Sequence, residues 1–184
     1  MALLRAHSRL SCLWWTLVVL AAARAYAAPA EYQIKAVFLF NFAQFVDWPA
    51  EAFPRQDAPF VIGVLGEDPF GSQLDDVVRG EHADGRALVI ERYRNVGEIH
   101  YCNILFIGRT ETAHLGEILA ALEGRSILTV SDADPAGPRG VMIRLVNENN
   151  RIRLRIDVAA AKAGNLTISS KLLRPAEIVG RGEG

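Results

Sequence analysis

Residues 31–49, EYQIKAVFLFNFAQFVDWP, are the stretch that decides how this chain folds. At about 100° per residue, Ile34, Phe38, Phe42 and Phe45 fall on one side of a helix. Leu39, Phe40 and Ala43 cover the back, so the predicted helix is apolar almost all round. Such a helix is either a core helix or half core and half docking surface. Both interpretations stay open.

The polar residues of this stretch set its limits and its solvent contacts. Asn41 projects into the aromatic side, where a buried amide must bond to a loop, a ligand or a partner. Pro49 lacks an amide hydrogen and biases Trp48 away from helical angles, which predicts a helix end near Asp47. The positions left for water are Gln33, Lys35, Gln44 and Asp47.

The residues before this helix predict export. Basic residues lead into a mostly apolar run, Leu10–Ala23, and Ala25–Ala27 has the small-x-small pattern that signal peptidase cleaves. The run is shorter than the roughly 20 residues of a membrane span. We therefore expect residues 1–27 to be a cleaved secretory signal peptide and residues 28–184 to form a single exported domain.

Charge and cysteine content narrow the function. The leader holds three of the 20 basic residues and none of the 21 acidic ones, so the processed chain carries a net charge of −4. Nucleic acid and anionic membranes are therefore not the expected partners. Only Cys102 remains after processing, and its place at the start of an apolar run favours a buried thiol over a reactive one.

Beyond Pro49, apolar runs alternate with helical patterns, which predicts an α/β domain: a mostly parallel central sheet flanked by helices in three layers. Strands are expected at Phe60–Leu65, Ala87–Ile90, Asn103–Ile107 and Ile127–Val130. Helices are expected from Pro69 to Gly80 and over Glu111–Leu122, and Lys171–Val179 is expected to be a closing helical piece interrupted by Pro175.

A C-terminal antiparallel hairpin is predicted from Val141–Val146 and Arg151–Asp157, joined by the turn Asn147–Asn150. Alternation places Arg144, Arg151, Arg153 and Arg155 together on an outward sheet face. This face is either a solvated surface or a docking surface for an acidic partner, since guanidinium groups bind carboxylates in pairs. Charge reversal at Arg153 and Arg155 is expected to weaken partner binding without lowering the melting temperature.

The chain shows no pattern of an enzyme. The glycines of Gly66–Ser72 lack the lysine of a phosphate loop, and no nucleophile elbow is present. His82, His100 and His114 have no ligand at metal-binding spacing. We expect no catalytic residues, no metal and no cofactor.

Residues 32–49 resemble the opening of the YfiR-like family, which follows the pattern Y-x-(I/V)-K-A-x-(F/Y)-(L/I)-x-x-F-x-x-(F/Y)-(V/T)-x-W-P. Later landmarks agree in order along nearly the whole processed chain: Gly66 with Asp68–Gly71, Cys102–Ile107, Ile127–Asp132, Gly140 and Ala163–Leu173.

The resemblance implies a periplasmic regulator that binds the periplasmic sensor region of an inner-membrane diguanylate cyclase. Such binding holds the cyclase inactive, lowers cyclic di-GMP and restrains biofilm and exopolysaccharide formation. Redox-responsive members use paired cysteines, so redox gating inside this molecule is not expected. An intermolecular bridge through Cys102 remains an alternative.

Candidate sites follow from the residues. Partner-binding candidates are Phe38, Asn41, Phe42, Phe45 and Trp48 on the helix, and Arg144, Arg151, Arg153 and Arg155 on the hairpin. Lys171 and Arg174 are candidates for a small anionic or aromatic effector. Twofold self-association through the first helix is a further hypothesis. The alternative function is a small-molecule sensor domain, with its ligand at the carboxyl ends of the strands.

Overall fold

The computed structural model describes residues 31–133 and 140–180. The first helix, α1, covers residues 31–45 and leads into a short strand, β1 (Val46–Asp47). The helix ends before the predicted Asp47 because Val46 and Asp47 pair antiparallel with β9 (Thr167–Ile168). This two-stranded ribbon fixes the end of α1 to the C-terminal part of the chain.

The other strands form one eight-stranded sheet. In chain order they are β2 (Phe60–Leu65), β3 (His82–Ala83), β4 (Arg86–Tyr93), β5 (Ile104–Ile107), β6 (Leu128–Ser131), β7 (Ile143–Glu148), β8 (Arg151–Ile156) and β10 (Glu177–Ile178). Their order in space is β10-β8-β7-β6-β5-β2-β4-β3.

The pairings make this a mixed sheet. From β4 to β7 neighbouring strands are parallel, whereas β3 with β4 and β7 with β8 are antiparallel. The α/β class and the C-terminal hairpin are confirmed, but the expected mostly parallel sheet is wrong. The edge strand β3 and the hairpin reverse direction, because short turns join each to its neighbour.

Four further helices complete the described chain: α2 (Ser72–Val78), α3 (Leu115–Ala121), α4 (Val158–Ala163) and α5 (Ser170–Leu173). Short 3-10 turns cover Ala50–Ala52, Val96–Glu98 and Arg109–His114.

Two predicted helices differ from the structure. α2 begins at Ser72 and not at Pro69, because Asp68 accepts a hydrogen bond from the Phe70 amide and closes a turn before the helix. The Glu111–Leu122 pattern splits into a 3-10 turn and α3. The segment Lys171–Val179 is interrupted at Pro175 as predicted, and the residues beyond Pro175 form the strand β10 instead of more helix.

Helices cover both faces of the sheet, and alternate residues of β2 show how. On one face, Ile62 and Val64 belong to the larger hydrophobic core, which also contains buried residues of α1, α2, α4 and α5. Val61 and Leu65 join α3 in a second core on the other. We call these the first face and the second face.

The predicted signal peptide, residues 1–27, lies outside the described residues, and the division into leader and domain stays a prediction. Within residues 31–133 and 140–180, no helix has the length and apolar character to cross a membrane.

Candidate functional site: the first helix and the arginine hairpin

The helix α1 buries a different side from the one that its aromatic residues predict. Ala36, Leu39 and Phe42 are fully buried against the first face of the sheet. The side turned to solvent carries Ile34, 48% exposed, and Val37, 44% exposed. The residue pattern predicted a helix that is apolar almost all round, but it could not show which apolar side the sheet covers.

The predicted partner residues of α1 therefore divide. Phe42 has no exposed surface, so it is a core residue and not a contact residue. Phe38, Asn41, Phe45 and Trp48 are half-buried at the flanks of the helix. The two aliphatic residues Ile34 and Val37 are the exposed apolar positions that the prediction missed.

Between residues 33 and 45, the outward side of α1 carries no charged group. Gln33 and Gln44 are the exposed polar residues there, and the single charge in this range, Lys35, is fully buried. Lys35 was expected in solvent and that expectation was wrong. The result is an uncharged helix surface of aliphatic and amide side chains.

Lys35 is buried because it has carboxylate partners. Its Nζ lies 2.5 Å from Oδ2 of Asp132 and also contacts Glu31, one helical turn earlier. Asp132 directly follows β6, 97 residues away from Lys35 along the chain. A buried charge without such a partner would cost several kcal/mol, so this ion pair specifies how α1 sits on the sheet.

Neighbouring groups extend this cluster. The Tyr32 hydroxyl donates to Oδ2 of Asp132 at 2.9 Å, and Arg109 lies 3.3 Å from the same oxygen. Burial, together with the nearby Asp132, raises the pKa of Tyr32. Burial would raise the pKa of Glu31 as well, but hydrogen bonds from Lys35 and Asn147 outweigh it and the pKa is lowered. The start of α1 is thus fastened to the ends of β5, β6 and β7.

The arginine hairpin consists of β7 and β8, and its arginine side chains lie on the second face of the sheet. The register pairs Arg144 with Arg155, Val146 with Arg153 and Glu148 with Arg151. Directly opposite residues share a face, so the four predicted arginines do lie together. Leu145 and Leu154 pair on the opposite, core-facing side.

Only half of this arginine face is open to water. Arg144 is 9% exposed, and Arg155 binds Glu177 at 2.9 Å and Glu148 at 3.1 Å. Arg151 and Arg153 are exposed, and neither forms a salt bridge with any residue that the structure describes. The expectation of four outward arginines was wrong for Arg144, because its side chain is buried.

A groove of about 790 Å³ opens beside the hairpin. Arg144 and Arg155 contribute charged walls, and Val141, Met142 and Leu122 contribute apolar ones. Glu123 and Asp157 also line it, so its charges are mixed. A groove of this volume is within the range of ligand pockets and can also receive a protruding segment of another protein.

The carboxyl ends of β2 and β5, where α/β proteins commonly bind ligands, are closely packed here. A Cβ atom at Gly66 would come within 2.8 Å of Thr110 and Glu111 side-chain atoms. A Cβ at Gly108 would lie 3.1 Å from the Glu67 carbonyl oxygen. The two strand-end loops meet at these glycines, so the groove beside the hairpin offers more room for a ligand than this edge.

A comparison of the sequence with protein-family models finds that the YfiR/HmsC-like family model matches residues 32–177. The chain belongs to the YfiR/HmsC-like family. A search of curated proteins found no match. The match begins at Tyr32, and it includes both partners of the buried ion pair, Lys35 and Asp132.

In this YfiR/HmsC-like protein, the two candidate effector residues lie outside the groove. Lys171 and Arg174 are exposed, and neither lines the groove. The Lys171 ammonium lies 5.2 Å from the centre of the Phe45 ring, a cation–π contact that joins α5 to the end of α1.

Cys102 is a core residue of the second face. Its thiol is 3% exposed and bonds the Ile104 carbonyl oxygen at 2.8 Å. Burial raises its pKa to about 12. The thiolate is the reactive form, so a disulfide between two molecules would require this core to open.

The contacts that sequence reasoning missed share one property: they join residues that are distant along the chain. Lys35 contacts Asp132 and Arg155 contacts Glu177, at separations of 97 and 22 residues. A lysine on an otherwise apolar helix was the available indication for the first contact, because a buried lysine requires a carboxylate. The sequence did not identify which carboxylate. Among the described residues, no group of three His, Cys, Asp or Glu side chains is placed to hold a metal ion.

Proposed function

We propose that this protein is a periplasmic regulator that binds and represses the periplasmic sensor region of an inner-membrane diguanylate cyclase. Repression would lower cyclic di-GMP and restrain biofilm and exopolysaccharide formation. The proposal is supported by membership of the YfiR/HmsC-like family. A repressor of this kind needs no chemistry, because binding that prefers the inactive state shifts the cyclase by that preference alone. A hundredfold excess over the dissociation constant provides about 2.7 kcal/mol.

The arginine hairpin and the adjoining groove are the proposed docking surface. The observation that carries this is the pair Arg151 and Arg153, exposed and without carboxylate partners in residues 31–133 and 140–180. Arginine is enriched where carboxylates of a partner are bound. The groove next to them supplies the concave, partly apolar surface that a protruding segment of the sensor region requires.

The outward side of α1 is a second candidate contact. Ile34 and Val37 are its exposed apolar groups, with Phe38, Asn41, Phe45 and Trp48 at the flanks. Single exposed aliphatic residues are common on soluble proteins, so this surface is a weaker candidate than the hairpin. Self-association through α1 is also a proposal, and it would use the same residues.

The experiment compares charge removal at two pairs of arginines. Charge reversal is unsuitable, because Arg155→Glu would face Glu148 and Glu177, and Arg151→Glu would lie directly opposite Glu148. The test variant is therefore Arg151→Gln with Arg153→Gln, and the control is Arg79→Gln with Arg94→Gln, exposed residues elsewhere that give the same charge change.

We expect the test variant to lose co-purification with the periplasmic domain of a cyclase encoded beside its gene, and to raise cellular cyclic di-GMP. The control variant should behave like the unmodified protein, and both should keep its melting temperature. Unchanged co-purification of the test variant would show that the arginines are only solvated. A cyclase domain that fails to bind the unmodified protein would contradict the proposed function itself.

The groove supports a second function, that of a small-molecule sensor. Its volume of about 790 Å³ and its mixed apolar and charged walls suit a small ligand. A thermal-shift screen of periplasmic metabolites against the protein alone would test this. A stabilising ligand whose effect is lost on Met142→Trp, which fills the groove, would support the sensor function, whereas a ligand insensitive to this change would bind elsewhere.

A further inference from the structure

The outer edge of the hairpin is only partly paired. Strand β10 covers β8 at Arg155 and Ile156, where Glu177 and Ile178 are its partners. The first four residues of β8, 151–154, have no partner strand on this side among the described residues. An uncovered strand edge presents main-chain groups that another strand can pair with.

Hydrogen bonds at the end of β8 show which residues face this edge. The Val179 amide donates to the Ile156 carbonyl oxygen at 3.0 Å, so the main chain of Ile156 points away from β7. The Asp157 amide donates to the Met142 carbonyl oxygen at 2.8 Å, so the next residue points toward the β7 side. Alternate residues of a strand repeat this direction, and the N–H and C=O groups of Ile152 therefore face the uncovered edge.

The side chains beside this edge specify a partner of one charge. Arg151 and Arg153 lie two residues apart on one face of β8, at a spacing of about 7 Å. Both are exposed, and neither has a salt bridge to a described residue. Carboxylates at alternate positions of an added strand would lie directly beside these two guanidinium groups.

We propose that β8 takes up an extended acidic segment of the partner protein as an additional strand. The main chain of the segment pairs with the edge at Ile152, and its alternate carboxylates bind Arg151 and Arg153. This inference rests on the proposed docking function and specifies the mode of binding: strand addition, with a residue pattern of acid, apolar, acid.

The probe is an acetylated, fluorescent eight-residue peptide of alternating glutamate and valine, measured by fluorescence anisotropy with the processed protein. We expect binding that falls at least tenfold for Arg151→Gln with Arg153→Gln and stays within twofold for Arg79→Gln with Arg94→Gln. The same peptide with lysine in place of glutamate should not bind. Absence of binding by the glutamate peptide to the unmodified protein would overturn the proposal.

Methylation of peptide amides separates strand addition from simple charge attraction. In an added strand, alternate amides face β8 and the others face solvent. N-methylation of one alternate set should abolish binding while methylation of the other set should leave it within twofold. If methylation of the valine amides abolishes binding, the added strand is antiparallel to β8. If methylation of the glutamate amides abolishes binding, the added strand is parallel to β8. Equal affinities for the two methylated peptides would overturn strand addition.

Co-purification with the cyclase domain keeps this result distinct from the proposed function. If the cyclase domain binds the unmodified protein and the double arginine variant equally well, the regulatory function stands and the strand-addition mode is wrong. If the cyclase domain does not bind the unmodified protein, the regulatory function is wrong whatever the peptides do.

Discussion

Lys35 on the first face of the sheet and the two arginines near the hairpin turn on the second face have opposite environments. On the first face, Lys35 is fully buried and held by Asp132 and Glu31. On the second face, Arg151 and Arg153 extend into water while their neighbour Arg155 is shared by two glutamates. A charge inside a core requires partners to be stable, whereas a charge at a strand edge does not. On the first face a buried charge therefore holds the fold together, whereas Arg151 and Arg153 on the second face stay exposed to solvent.

Replacement of Lys35 tests this contrast with the largest expected effect. Lys35→Met removes one member of a buried ion pair and leaves Asp132 short of its main partner, which typically costs about 3–5 kcal/mol. Arg153→Met is the matched control on the second face, where surface changes stay within about 0.5 kcal/mol. Urea unfolding of both variants measures the difference. Equal stabilities would show that the charge at Lys35 does not hold the helix in place.

The next test compares two apolar residues of the same helix. Leu39 is fully buried and Val37 is 44% exposed, although both belong to the apolar surface that the sequence predicts. Leu39→Ala should cost about 2–5 kcal/mol through lost burial and the cavity left behind. Val37→Ala should change the free energy of unfolding by less than about 0.5 kcal/mol. Thermal and urea unfolding check both values, and a large loss at Val37 would mean that this side of α1 is covered.

Cys102 gives a pH-dependent test on the second face. Burial raises the pKa of its thiol from the ordinary 9.0 to about 12. The folded state thus holds the proton more tightly than the unfolded state, so this contribution is complete below pH 9 and is lost as the pH rises from 9 toward 12.

The comparison that isolates Cys102 is the slope of stability against pH. Between pH 8 and pH 10, the unmodified protein should lose stability more steeply than Cys102→Ala, by up to about 1.4 kcal/mol per pH unit. Burial is the largest cause of the raised pKa values of Tyr32, Tyr93 and Tyr101, and it acts in both proteins, so most of their effect cancels in the difference. Parallel slopes would show that the thiol is accessible to base.

Much of the fold could be predicted because its elements are locally encoded. The uninterrupted apolar run Phe60–Leu65 is β2, with all six residues buried. The alternation around Arg151 and Arg153 gave the hairpin and its two faces. The exact boundaries near Asp47 and Pro69 depend on a distant strand and on a local turn: β9 pairs with Val46 and Asp47, and Asp68 closes a turn before α2.

The candidate sites were less predictable than the elements. Long-range contacts decide whether the Leu39 side or the Ile34 side of α1 packs on the sheet, and the ion pair of Lys35 with Asp132 is one of these contacts. The groove beside the hairpin is formed by segments from α3 to β10, which no local pattern brings together. Residue pattern therefore identified the two surfaces, and tertiary packing decided which of their side chains remain accessible.

The smallest predicted effect lies in the turn of the hairpin. Asn149 and Asn150 have φ values of +52° and +61°, so this two-residue turn has the backbone of the type that matches the twist of paired strands. Asparagine tolerates positive φ and glycine adopts it without steric cost. Asn150→Gly should therefore be neutral or stabilise the protein by a few tenths of a kcal/mol, whereas Asn150→Ala should cost about 1 kcal/mol. Urea unfolding separates the two variants. If both leave the stability unchanged, the register that aligns Arg151 and Arg153 is set by the core-facing pair Leu145 and Leu154 and not by the turn.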